Sequence, residues 1–196
     1  MRLLDASHQV EGIVQRTIAS PNRATDMPDV KIREIQPGDH PLLEEFLYQA
    51  VHQRDPDQPI PRNVTSEPRV RAYIEGFGGG ADDHGLVAES NGQVVGVAWA
   101  RVLGGDPPGY GYVDDSTPEL AISVLPEYRS SGIGTRLMRN LLSRLAGCGY
   151  ARVSLSVDKT NHATRMYSRL GFVVVAEHDD DLLMIRVLSS ADQQCI

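Results

Sequence analysis

The chain has 196 residues, 41% hydrophobic and 23% charged, the composition of one globular domain with a sizeable core and not of a disordered or collagenous chain. Its formal net charge of -7, with no run of Lys or Arg, argues against binding nucleic acid through phosphate neutralisation and suits a cationic substrate instead. The two cysteines, Cys148 and Cys195, show neither CxxC spacing nor a Cys/His cluster, so no disulfide framework and no metal site is expected, and the compartment reads as a reducing cytoplasm.

Met1 to Val14 mixes Arg2, Asp5, His8, Gln9 and Glu11 among its apolar positions, unlike the core of a secretory signal. No apolar run approaches the ~20 residues of a membrane helix, so no membrane partner is expected. Residues 1–28 have weak periodicity and end in the punctuators Ser20-Pro21-Asn22 and Met27-Pro28, reading as an N-terminal extension or a dimer-contacting arm ahead of a domain spanning 29–190.

Val30, Ile32 and Ile35 around Lys31, Arg33 and Glu34 suggest a first strand. Pro37-Gly38-Asp39 then starts a helix, with Leu42, Leu43, Phe46, Leu47 and Ala50 marking one face. Four prolines make Arg54 to Pro68 an irregular connection, able to cover a substrate, before a short helix carrying Val70, Tyr73, Ile74 and Phe77. After Gly78-Gly79-Gly80, the run Leu86-Val87-Ala88 pairs through Asn91-Gly92 with Val94 to Leu103, a strong hairpin signal. Beyond a loop from Gly104 to Gly109, Leu120 to Leu125 reads as a strand ended by Pro126.

Ile133, Leu137, Met138, Leu141, Leu142 and Leu145 recur at helical spacing, with Gly147 and Gly149 near the end. Val153, Leu155 and Val157 alternate with polar residues as the next strand. Asn161 precedes a short helix through Tyr167 that stops at Gly171, and two strands, Phe172 to Ala176 and Leu182 to Val187, flank the acidic turn Asp179-Asp180-Asp181.

Chemistry concentrates where the strand ending at Leu125 passes through Arg129-Ser130-Ser131-Gly132-Ile133-Gly134 into the long helix. Unpaired amides at a helix start attract anions, and glycine lets backbone approach a phosphate. No Lys-Ser/Thr follows a second glycine, as a nucleotide P-loop requires, and Leu137 stands where the dinucleotide fingerprint has its third glycine. Taken alone, the pattern fits a ligand loop or a tight strand-to-helix turn equally.

This region resembles the GNAT superfamily of acyl-CoA N-acyltransferases. The family's pyrophosphate loop, Gln/Arg-x-x-Gly-x-Gly/Ala, is matched by Arg129, Gly132 and Gly134, and its Asn-x-Ala-x-x-x-Tyr-x-x-x-Gly-Phe pattern by Asn161, Ala163, Tyr167, Gly171 and Phe172. The resemblance is strong from Glu119 to Val175, topological from Val30 to Leu103, and silent on residues 1–28. It implies an α/β (α+β) fold with a mixed, mostly antiparallel central sheet flanked by helices, its fourth and fifth strands splayed to admit the pantetheine arm. It also implies transfer of an acetyl group from acetyl-CoA to a primary amine by direct attack, without metal or covalent enzyme intermediate.

Carried over by position, the backbone of Ile122, Ser123 and Val124, beside a strand bulge, would hold the thioester carbonyl and pantetheine. The amides of Ser130, Ser131, Gly132, Ile133, Gly134 and Thr135 would wrap the pyrophosphate, and Asn161 would hydrogen-bond the pantetheine. Arg129 contacts phosphate or is simply exposed. Tyr167 would face the sulfur as general acid; its plainer reading is a packed aromatic at a helix end. Glu119, at the start of the fourth strand, stands near the family's general-base glutamate, and a solvated strand-end charge is the competing reading. Members that acetylate protein N-termini often carry a glutamate late in the fifth strand where this chain has Ser156, a departure that argues against such a substrate or leaves deprotonation to water. Trp99 reads as core or as a wall of the acceptor pocket, and Asp114 and Asp115 as acids able to attract an ammonium group or as a plain exposed loop; His84 and His162 receive no role. A non-catalytic acyl-CoA-binding or regulatory module of the same fold, and an unrelated anion-binding domain, are the alternatives, and the acceptor is open.

Overall fold

A computed structural model describes residues 29–55 and 57–194, so the N-terminal extension and Cys195 lie outside the described residues. Among these residues seven strands form one sheet in the order β1-β2-β3-β4-β5-β7-β6. They are β1 (Val30–Glu34), β2 (His84–Ser90), β3 (Gln93–Arg101), β4 (Glu119–Val124), β5 (Arg152–Asp158), β6 (Val173–Glu177) and β7 (Asp181–Val187). Every neighbouring pair is antiparallel except β4 and β5, which are parallel and share a single register pair, Glu119 opposite Ser154. Ser154 N–H donates to the Pro118 carbonyl at 3.0 Å, and no ladder continues beyond it. The two strands are therefore splayed toward their C-terminal ends.

Among the described residues four α-helices flank the sheet: α1 (Leu43–Ala50), α2 (Pro68–Arg71), α3 (Ile133–Gly147) and α4 (Thr164–Arg169). The helix read from Pro37 begins as a 3-10 segment, Pro37–Leu42, with Pro41 inside it, and regular α-helix starts at Leu43. The helix read through Phe77 is α-helical only to Arg71 and continues as hydrogen-bonded turns, which still bury Val70, Tyr73, Ile74 and Phe77.

The sheet divides the core in two. On one face Ile133, Leu137, Met138, Leu141, Leu142 and Leu145 of α3 pack with Tyr167, Phe172 and strand residues; each such buried side chain contributes roughly 1.5–3 kcal/mol. On the other, Leu43, Phe46 and Leu47 of α1 pack with Val70, Tyr73, Val97 and Trp99. α3 ends in a Schellman arrangement, with Tyr150 N–H bonded to the Leu145 carbonyl at 3.2 Å and Gly149 N–H to the Ala146 carbonyl at 3.1 Å, Gly149 standing at φ +90°. The Asn91-Gly92 turn has positive φ at both residues, the geometry that suits strand twist in a two-residue hairpin.

Bulges lie in the β2–β3 hairpin and at Val175 in the β6–β7 pair, and not in the pairing of β4 with β3. Ala88 pairs with Gly96 and Glu89 with Val94, leaving Val95 as the extra residue, whereas β3 and β4 pair in unbroken register from Gly96–Val124 to Arg101–Glu119. The bulge turns Val95 to the α3 side with Ala98 and Ala100, while Val94 joins Val97 and Trp99 on the α1 side.

Candidate active site

The strand-to-helix connection leaves β4 at Leu125, makes a 3-10 turn at Pro126–Tyr128, and reaches α3 through Ser130 and Gly132, both at positive φ. The amides of Ser130, Ser131, Gly132, Ile133, Gly134 and Thr135 donate to nothing among the described residues. Six free donors at the start of a 15-residue helix form an anion cradle. A Cβ on Gly132 would meet no atom within 4 Å, so φ of +84° is what requires glycine there. Gly134 joins three elements: its Cβ position lies 3.7 Å from Met166 of α4 and 3.8 Å from Ile122 and Val124 of β4.

The β4 edge continues this cradle. Leu125 N–H donates to Val95 at 2.9 Å, so the main-chain groups of odd residues turn to β3 and those of Ile122 and Val124 turn to the gap beside β5. Ser123 differs: its backbone belongs to the β3 side, and its hydroxyl donates to the Phe46 carbonyl of α1 at 2.8 Å. Arg129 folds back to the Val124 carbonyl at 2.9 Å and Gln49 at 3.1 Å, fixing the end of β4 to α1. Past α1, Arg54 reaches Asp158 at the end of β5 at 2.5 Å, so one segment spans both sides of the gap.

Glu119 lies at the narrow end of the gap on the α1–α2 face, only 2% exposed. Its Oε1 accepts the Tyr73 hydroxyl and the Gly111 amide, the latter at 2.7 Å, while Oε2 has no partner among the described residues. Burial pushes the carboxyl up to about 7, opposed by the Tyr73 hydroxyl, the Gly111 amide and the Arg69 charge. The loop Gly109-Tyr110-Gly111 covers it so closely that a Cβ on Gly109 would lie 2.2 Å from Oε2, and one on Gly111 2.8 Å from the backbone of Leu155 and Ser156. Arg69 holds this loop through the carbonyls of Pro108 at 2.8 Å and Gly109 at 3.2 Å, with its guanidinium 4.0 Å over the Tyr110 ring.

Residues 47–172 match the model of the acetyltransferase (GNAT) family. The chain belongs to that family. It is 32% identical over 168 residues to a mycothiol acetyltransferase of Thermobispora bispora, a match covering 81% of this chain and 52% of the relative, so the chain spans about half that relative's length. Solved structures share the fold: a GNAT acetyltransferase of Staphylococcus aureus (TM-score 0.61, 19% identity, 82% of this chain and 99% of the other). A protein of Salmonella typhimurium solved with its cofactor acetyl-CoA is also similar (TM-score 0.59, 23% identity, 83% and 95% covered).

Within this GNAT framework Tyr167 lies on α4, in the α3-side core, with its ring edge-on to Phe172 at 5.8 Å. Burial pushes its hydroxyl up to about 12, and the hydroxyl has no hydrogen bond among the described residues. Glu119 and Tyr167 thus belong to opposite faces of the sheet. Asn161 accepts the Ala163 amide at 2.9 Å through Oδ1 and so shapes the entry to α4.

Other sequence candidates are structural. Asp114 accepts the Ser116 hydroxyl at 2.8 Å, the Thr117 hydroxyl at 2.8 Å and the Ser116 amide at 2.9 Å, and pairs with Arg152, which together hold it well below the usual carboxylate range. Asp115 accepts Tyr112 at 2.9 Å. Asp114 is thus committed to Arg152 and its own turn, whereas Asp115 stays exposed beside Tyr112. His84 packs edge-on to Tyr150, and burial lowers its proton affinity. Trp99 is core, and its indole N–H donates to the Tyr73 carbonyl at 2.9 Å. No group of three or more His, Cys, Asp or Glu among the described residues is placed to hold a metal, and no helix is long and apolar enough to cross a membrane. Sequence reading missed Tyr73, Arg69, Tyr110 and Gly111. The Gly-Tyr-Gly triplet just ahead of an acidic strand start was their one legible sign.

Proposed function

We propose that the chain is an acetyl-CoA-dependent N-acetyltransferase acting on a primary amine. The observation that carries this reading is a buried carboxyl of near-neutral proton affinity, Glu119, on the strand whose open edge at Ile122 and Val124 leads into the free amides of Ser130 to Thr135.

Those residues fit acetyl-CoA by chemistry. The amides suit a pyrophosphate, the gap-facing main chain of Ile122 and the Val124 amide suit the amide groups of pantetheine, and Asn161 retains its side-chain N–H donors for the same arm. Bound acetyl-CoA supplies the thioester whose carbon the amine attacks. Glu119 takes the proton that the amine nitrogen loses as the new C–N bond forms, and a value of about 7 leaves a working fraction ionised at neutral pH. A gap-facing amide of β4 steadies the developing oxyanion. Tyr167 gives a proton to the sulfur as the C–S bond breaks, its hydroxyl kept protonated by burial.

The similar Thermobispora bispora protein is a mycothiol acetyltransferase, so its acceptor belongs in the amine panel beside polyamines, amino-acid derivatives, aminoglycosides and lysine peptides. The test is thiol release from acetyl-CoA with that panel, alongside direct acetyl-CoA binding. Turnover that Glu119→Gln abolishes supports the reading. Binding with no turnover on any amine would make the chain a binding module, and no binding would reject both.

A further inference from the structure

We infer that Tyr73 is a positioning residue for Glu119: its phenol fixes one carboxylate oxygen as a hydrogen-bond anchor and leaves the other as the proton acceptor. This rests on the reading of Glu119 as the base.

The geometry distinguishes the two oxygens. The Tyr73 oxygen already accepts the Tyr110 amide at 3.0 Å, and a phenol has one proton, so that proton is directed at Glu119 Oε1. Oε1 also accepts the Gly111 amide at 2.7 Å and carries two donors, whereas Oε2 carries none among the described residues. The partnerless oxygen is the more basic one. Tyr73 is itself held at three points: Trp99 binds its carbonyl at 2.9 Å, Tyr110 binds its hydroxyl, and the Tyr110 ring stacks on it at 6.5 Å between centroids.

The charges around Glu119 are otherwise committed. Arg69, from α2, is tied to the Pro108 and Gly109 carbonyls and the Tyr110 face. Arg101 of β3, in register with Glu119, pairs with Asp83 at 2.7 Å. On β5 the register partner is Ser154, which carries no charge. The Tyr73 bond is the largest influence lowering the Glu119 proton affinity against burial. Tyr73 is pushed well above its ordinary value, first by burial and then by the Glu119 charge, and stays a donor across the working range.

A tyrosine that merely tied α2 to β4 would change stability and leave the base's titration alone. The test uses the full chain in two variants of opposite sign. Tyr73→Phe removes the donor and keeps the ring; 3-fluorotyrosine at position 73 keeps the shape and donates more strongly. Two readouts are compared: the acidic limb of kcat/KM against pH, and the carboxyl infrared absorption of Glu119, taken as each protein minus its Glu119→Gln counterpart. In Tyr73→Phe both midpoints rise by about one pH unit, a roughly tenfold loss below the limb that shrinks as pH rises, with acetyl-CoA affinity within a few fold. In the fluorinated protein both midpoints fall. Midpoints unmoved in both proteins would overturn the inference. If Glu119→Gln is fully active the base reading fails instead, and the infrared titration still decides whether Tyr73 sets the Glu119 proton affinity. Should Tyr73→Phe not fold, the downward shift in the fluorinated protein decides.

Discussion

Trp99, in the middle of the sheet, donates its indole N–H to the main-chain carbonyl of Tyr73, 26 residues earlier, at 2.9 Å. The same Tyr73 donates its hydroxyl to Glu119, so β3 sets the position of the turn after α2, and that turn sets the carboxyl. Trp99→Phe orphans a buried carbonyl and shrinks a side chain that is 1% exposed. Its expected cost is about 2–3 kcal/mol of stability. Urea unfolding followed by circular dichroism reads it, since Trp99 is the chain's only tryptophan and fluorescence disappears with it. A loss under about 0.5 kcal/mol would show that the bond contributes nothing net.

Glu119 makes folding depend on pH in a defined direction. Its proton affinity rises from the ordinary 4.5 to about 7 on burial, so the folded chain binds the extra proton between those values and stability falls as pH climbs through them. Glu119→Gln is uncharged throughout and escapes that loss. The stability difference, variant minus wild type, should therefore grow by about 3 kcal/mol from pH 4 to pH 8. Denaturant unfolding of both proteins at the two pH values measures it. A flat difference would mean that the buried carboxyl ionises as easily folded as unfolded.

Much of this architecture was readable because it rests on local patterns. The α3 stripe from Ile133 to Leu145, the Asn91-Gly92 hairpin and the paired motifs at Gly132 and Asn161 each depend on residues within one or two turns of one another. What escaped depends on long-range contact. Tyr73 sits at apolar helical spacing and its sequence reads as core, yet its hydroxyl partner lies 46 residues away. Ser123 appeared as one of three equivalent strand residues, and only the parity of β4 pairing sends its backbone to β3 while its neighbours face the gap. Asp114 looked like a free acid until the turn that places Ser116, Thr117 and Arg152 around it was in view.

Gly132 separates backbone strain from ligand approach. A side chain at φ +84° adds about 1–2 kcal/mol of strain wherever it occurs. Gly92, at φ +78° in the hairpin, supplies the control because its Cβ would also meet open space. Both Gly132→Val and Gly92→Val should lower the melting temperature by similar amounts. Acetyl-CoA affinity should collapse in Gly132→Val and persist in Gly92→Val. Calorimetric titration decides it: equal affinities in the two folded variants would reduce the Gly132 loop to a turn.

Tyr167→Phe tests the other end of the proton path. The ring keeps its edge-on contact with Phe172, and the hydroxyl has no hydrogen bond among the described residues to lose, so stability should change by less than about 1 kcal/mol. Acetyl-CoA affinity should stay within a few fold, since the cradle amides of Ser130 to Thr135 are untouched. If the phenol protonates the departing sulfur, turnover should fall by about 10²-fold, the low end for a general acid because water can substitute and a thiolate leaves readily. A hydroxyl pushed up to about 12 remains protonated through neutral pH, so wild-type activity should show no basic limb from this group below about pH 10. The decisive comparison is steady-state turnover against pH for the two folded proteins with one accepted amine. Full activity in Tyr167→Phe would leave Tyr167 as a packing residue beside Phe172, and unchanged turnover with much weaker donor binding would make it a cofactor contact.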